Sequence, residues 1–113
     1  MRGITKTVPQ KKGRQAVEQL YDGSINTFEF HMRGKPSRLT EGDYVYTIFQ
    51  DMLVGRCKVT EIILGVVNAE TGKVQTLINV ACPGERLEPP VPKQGHRGTR
   101  YTEGEDWPTD KIF

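Results

Sequence analysis

From Ile25 onward the chain changes sides with every residue, and this period of two limits the possible folds more than any other feature. In "INTFEFHM", Phe28, Phe30 and Met32 share one face while Thr27, Glu29 and His31 share the other. That is the pattern of a half-buried strand. "YVYTIFQ" is apolar on both faces, with Tyr44, Tyr46 and Ile48 opposed to Val45 and Phe49, as befits a strand covered on both sides. After a turn around Asp51, "LVGRCKVTEII" alternates again. Gly55, Cys57 and Val59 point inward, and Arg56, Lys58 and Thr60 point outward. Glu61 then falls on the apolar parity, which predicts a bulge or bend. "NAETGK" reads as a hairpin turn with Gly72 in the left-handed position, and "VQTLINV" as the returning strand.

Only one stretch has the other period. "RQAVEQLYD", residues 14–22, sets Ala16, Val17, Leu20 and Tyr21 on one face and is followed by Gly23 as a stop. The expected fold class is therefore α+β, predominantly β: one short docked helix and at least four strands, joined mostly by short turns. Such a sheet gains by closing into a small barrel, which removes its exposed edges. A chain of 113 residues has room for one domain and one modest core. Twelve glycines and seven prolines, against only 35% apolar residues, predict much turn and loop. Residues 1–13 are expected to form a basic arm. "CPGERLEPPVPKQG" carries four prolines, so it is no central strand and opens a loop-rich segment, 83–113. Tyr101, Trp107 and Phe113 are its isolated anchors.

No apolar run is long enough to span a bilayer, and the N-terminus lacks the apolar stretch of a signal peptide. The expectation is a soluble, cytoplasmic protein without membrane contact. Cys57 and Cys82 are then reduced core thiols, with a bridge between them as the alternative. The net charge of +2 hides a polarity. Arg2, Lys6, Lys11, Lys12 and Arg14 stand at one end with no acid among them, while Glu103, Glu105, Asp106 and Asp110 crowd the other. A basic pole suits a phosphate backbone; equally, both ends could be solvated fringes.

The succession of helix, strand, basic loop, Gly-Asp turn and hairpin, carried by "RGKPSRLTEGDYVYTIF" and "LVGRCKVTEI", resembles the PUA-like superfamily. Its ASCH domains are the nearest branch, and the resemblance covers residues 28–63. It implies a small β-barrel with one or more flanking helices and a ligand cleft beside the loop that precedes the Gly-Asp strand. Members of that superfamily typically bind RNA, and some hold a modified base in an aromatic-lined pocket. One ASCH lineage is similar to an amidohydrolase acting on acylated cytidine through Lys, Thr and Glu. Lys35, Thr40 and Glu61 are the matching residue types here, at a different spacing, and Arg38 stands nearer Gly42 than the ASCH signature has it.

Two cationic segments are the candidate binding residues. Arg33, Lys35 and Arg38 surround the Gly34 and Pro36 turn, where an Arg fork fits a phosphate or a guanine edge. Arg97, Arg100 and Tyr101 combine cations with a ring on which a base could stack. The structural alternatives are ordinary loop charges and a tyrosine that anchors an edge strand. The leading expectation is a cleft between loop 33–38 and segment 96–101 that binds RNA, single-stranded nucleic acid or a modified nucleotide, without catalysis or cofactor. A hydrolase on a modified nucleoside is the second reading, and a protein-interaction module using the proline-rich loop is the third. No metal is expected, because His31, His96, Cys57 and Cys82 lack the close spacing of a zinc knuckle.

Overall fold

Six consecutive buried residues, Tyr44–Phe49, form β3, the strand on which the sheet is centred. The computed structural model describes residues 1–108. Phe113 and Asp110, read above as an anchor and part of an acidic tail, lie outside them. β3 is covered on both edges and both faces, as its two-sided apolar pattern requires. One edge pairs antiparallel with the 16-residue β4, Met52–Val67. The other pairs parallel with β1, Gly3–Thr7. The tight turn between β3 and β4 places both Gln50 and Asp51 at positive φ, the twist a two-residue hairpin needs.

β4 is long enough to serve two sets of partners. Its first half carries β6, Glu85–Pro92, opposite β3. Its second half pairs with β5, Val74–Ala81, whose far edge receives β2, Thr27–Arg33. The register slips between Val59 and Glu61, where the stray carboxylate predicted a bulge, and again between Ile63 and Val66. These slips bend the sheet. Gly72 has φ 71° in the turn back to β5, as expected. The order is β2-β5-β4-β3-β1-β7, with β6 on β4 and β7 formed by Arg100–Thr102. The class is α+β and predominantly β.

Three expectations are corrected. The described strands form an open sheet rather than a closed barrel: β2 and β7 end it and do not pair. Residues 1–13 are no free arm, since Ile4 is fully buried and β1 sits inside the sheet. Its β-branched "GITKT" core was masked by the surrounding lysines. A Cβ on Gly3 would stand 1.9 Å from the Tyr44 carbonyl oxygen, so only glycine permits this parallel approach. Finally, residues 85–92 are a strand, not a loop. Pro89 and Pro90 fall between the pairs Gly55–Arg86 and Leu53–Val91, where the ladder is interrupted and no N–H is needed.

The helix α1, Gly13–Gln19, is shorter than predicted. Val17, Leu20 and Tyr21 are nonetheless buried in the main core with Phe30, Val45, Ile78 and Val80. Each fully buried aliphatic or aromatic side chain there contributes about 1.5–3 kcal/mol. A second cluster joins Tyr44, Tyr46, Leu53, Leu87 and Trp107, so Trp107 holds the C-terminal segment down. Arg56, read above as outward-facing, is buried within that cluster. Its guanidinium lies 4.4 Å from the Tyr44 ring centre and 4.3 Å from that of Trp107, and it donates to Tyr46 Oη and Glu85. Aromatic faces and a carboxylate replace the water it lost.

Candidate binding cleft

The open flank of the sheet lies between β2 at one end and β1 with β7 at the other. β7 pairs with β1 only from Gly3 to Thr5. Past Thr5 the two peptides part, and the next residue, Lys6, crosses the gap with its side chain. Its Nζ donates to the His31 carbonyl of β2 (2.8 Å) and to Thr99 Oγ1 (3.0 Å). Burial of the ammonium lowers the Lys6 pKa from its ordinary 10.5. Lys6 lines a cleft of about 610 Å³ together with His31, Met32, Arg33, Arg97, Gly98 and Thr99.

The segment holding Arg97 is fastened rather than free. The His96 amide donates to Thr7 Oγ1 (3.0 Å). The His96 ring spans two partners, with Nδ1 3.1 Å from the Arg97 carbonyl and Nε2 2.7 Å from the Thr5 hydroxyl. The Gly95 amide donates to Asp51 Oδ1 (2.8 Å). On the opposite wall, the Thr76 hydroxyl donates to the Gly34 carbonyl and fixes the turn after Arg33. Both arginines are exposed. Among the described residues, neither guanidinium has an acidic partner.

Of loop 33–38 and segment 96–101, Arg33 and residues 97–99, distant in the chain, line one hollow. The other candidates lie elsewhere. Arg38 stacks on Tyr101, with its guanidinium carbon 5.1 Å from the ring centre. The Ser37 amide donates to Tyr101 Oη (2.7 Å), so this tyrosine clasps the basic loop to β7. Lys35 and Arg100 are exposed and do not line the cleft. Nor do Thr40 and Glu61. The Asp43 carboxylate accepts from the Thr40 amide (3.0 Å) inside the Gly-Asp turn, and Glu61, exposed on β4, accepts from Asn79 (3.1 Å).

Lys6 and Thr99 were missed as site residues. Lys6 had been counted in a charged arm, although its place in "GITKT" marks it as a strand residue beside buried Thr5. Nothing local in the sequence signals Thr99. A second hollow, about 380 Å³, adjoins the first and shares Lys6 and His31 with it. Its remaining walls are largely apolar, with Leu20, Phe28 and Phe30 among them, but also include Thr7 and the Glu29 carboxylate.

Neither cysteine suits nucleophilic work. Both are free thiols, and burial pushes Cys57 up to about 12, which keeps it protonated at neutral pH. Among the described residues, no three His, Cys, Asp or Glu side chains converge as metal ligands. No helix among them is long and apolar enough to cross a membrane. No family model, curated protein or solved structure matches this chain.

Proposed function

We propose that this protein binds single-stranded RNA or a nucleotide in the cleft between Arg33 and Arg97, on a PUA-like sheet left ajar along one flank. The observation that carries the reading is the convergence of Lys6, Arg33 and Arg97, from three separate elements, on one 610 Å³ hollow. Among the described residues no carboxylate lines it, although Glu29 stands 3.2 Å from the ring of the lining His31. Cations set round a concavity favour an anionic ligand, and arginine forks suit phosphate oxygens. The dispersal of Lys35, Thr40 and Glu61 gives the hydrolase reading no comparable support.

The test is fluorescence anisotropy with a labelled mixed-sequence 12-nucleotide RNA at low salt. The double change Arg33→Gln with Arg97→Gln is expected to weaken binding at least tenfold while circular dichroism stays unaltered. Equal affinity of the folded variant and the unaltered protein would remove the proposal.

A further inference from the structure

We propose that Cys57 and Cys82 form a reversible modification site, closing into an intramolecular disulfide when the protein meets a hydroperoxide or a small disulfide. The inference stands apart from the cleft and does not rest on the nucleotide reading.

The strand register brings the pair together. Val59 of β4 pairs with Val80 of β5. Counting two residues outward along each antiparallel strand from that pair reaches Cys57 and Cys82, at facing positions. Facing residues of antiparallel strands have Cα atoms roughly 4.5–5.5 Å apart, inside the window of about 4.4–6.8 Å that a disulfide needs. Cys82 also packs against the core cluster that contains Cys57. The two thiols act on each other's ionisation as well. Cys57 favours a thiolate on Cys82, while Cys82 opposes one on Cys57. On the β6 side, the pair Arg56–Glu85 continues to Gly84 beside Cys57. A Cβ on Gly84 would stand 2.5 Å from Cys57 Sγ, so the thiol occupies space that a missing side chain leaves.

Access differs between the two: Cys57 is buried and Cys82 is partly exposed. Reaction therefore begins at Cys82. Its thiolate attacks one oxygen of hydrogen peroxide, the O–O bond breaks, and Cys82 becomes a sulfenic acid as the other oxygen leaves as water. The Cys57 sulfur then displaces the hydroxyl from the Cys82 sulfur, and the Cys57 thiol proton departs with it as a second water. Two thiols are oxidised to one disulfide and one peroxide is reduced to two waters. With oxidised glutathione, Cys82 first forms the mixed disulfide and Cys57 expels the second glutathione thiol. Burial raises both thiols above their ordinary range. Closure is therefore slow at neutral pH and quickens as pH rises, which suits a site that follows a sustained redox poise rather than a brief pulse.

The test is prolonged equilibration of the full chain in glutathione buffers of graded oxidised-to-reduced ratio at mildly alkaline pH. Acid quenching, denaturation, maleimide labelling and mass spectrometry then count the thiols. The expected product is a monomer without free thiols and two hydrogens lighter, which dithiothreitol returns to two free thiols. Its Tm is expected about 5–10 °C above that of the reduced protein. Cys57→Ala should stop at a glutathione adduct on Cys82. Cys82→Ser, at the partly exposed position, should leave Cys57 unmodified, and it keeps the test readable if Cys57→Ala does not fold. A glutathione adduct on Cys82 as the end product of the unaltered chain overturns the inference. So does a disulfide-linked dimer, or two free thiols at the most oxidising ratio. A closed form that melts below the reduced one overturns the facing geometry.

Discussion

Salt dependence offers the sharpest examination of the cleft, because the structure limits how many cations can contribute. Three line it: Lys6, Arg33 and Arg97. Each phosphate neutralised on a single strand contributes about −0.7 to the slope of log affinity against log salt. Three such contacts give a slope of about −2, so raising the salt from roughly 50 to 200 mM should lower affinity about twentyfold. Arg33→Gln or Arg97→Gln alone leaves two contacts and a loss of about sevenfold over the same range. The double variant, with Lys6 only, should lose about threefold. Lys58→Gln, on β4 and not among the residues that line the cleft, is the control and should keep the full slope. Anisotropy titrations at several potassium chloride concentrations read these slopes directly. An initial slope shallower than about −1, or one that the double variant does not change, would refute the claim that these cations hold phosphates.

Three further outcomes follow from the packing. The hydroxyls of Tyr21 and Thr47 are buried in the core without a well-formed hydrogen bond. Tyr21→Phe with Thr47→Val should therefore stabilise the fold by about 1 kcal/mol, a Tm gain of roughly 4–6 °C, and a lower Tm would show that the pair is satisfied. Gly3→Ala sets a methyl against the Tyr44 carbonyl and should expel β1. The expected loss is about 3 kcal/mol, together with RNA binding, since Lys6 leaves with the strand; an unchanged melting curve would disprove the register. The lowered Lys6 pKa gives a pH signature. The ammonium is the binding form, so affinity should decline as pH rises toward 10.5, earlier than an ordinary lysine would dictate, and Lys6→Arg should abolish this step. The same shift means that the folded state disfavours the proton. This penalty is present at neutral pH and relieved as pH rises through the lowered value, so stability should increase slightly in that window.

The strands were legible because their signals are local. Alternation over "INTFEFHM" and "VQTLINV", the double-sided apolar run of β3 and the misplaced Glu61 each report a partner face within a few residues. Prolines misled in 85–92 because their meaning depends on whether the partner strand needs a donor at that position, which only the β4 register decides. Arg56 misled for a related reason. Its outward parity is correct, but the C-terminal segment folds Trp107 over that face and turns outside into inside. For the cleft, Arg33 was legible as a cation at the Gly34–Pro36 turn and Arg97 as one of the cations near Tyr101. Lys6 was not, because its importance comes from the point at which β7 parts from β1, a long-range event that leaves no mark around residue 6.

Closure of the sheet would require its two end strands, β2 and β7, to pair, and β7 is short and parts from β1 after Thr5. With the flank ajar, Lys6 occupies one of the carbonyls on the otherwise free edge of β2. A lysine across an exposed edge also discourages the addition of a foreign strand. The same side chain lines the cleft with Arg33 and Arg97, so under the proposed function protection of the edge and attraction of an anion would come from one residue. A phosphate that drew Lys6 toward itself would compete with the His31 carbonyl for the same protons. Under that proposal, ligand binding and the bond that tethers β2 to β1 would be coupled through residue 6.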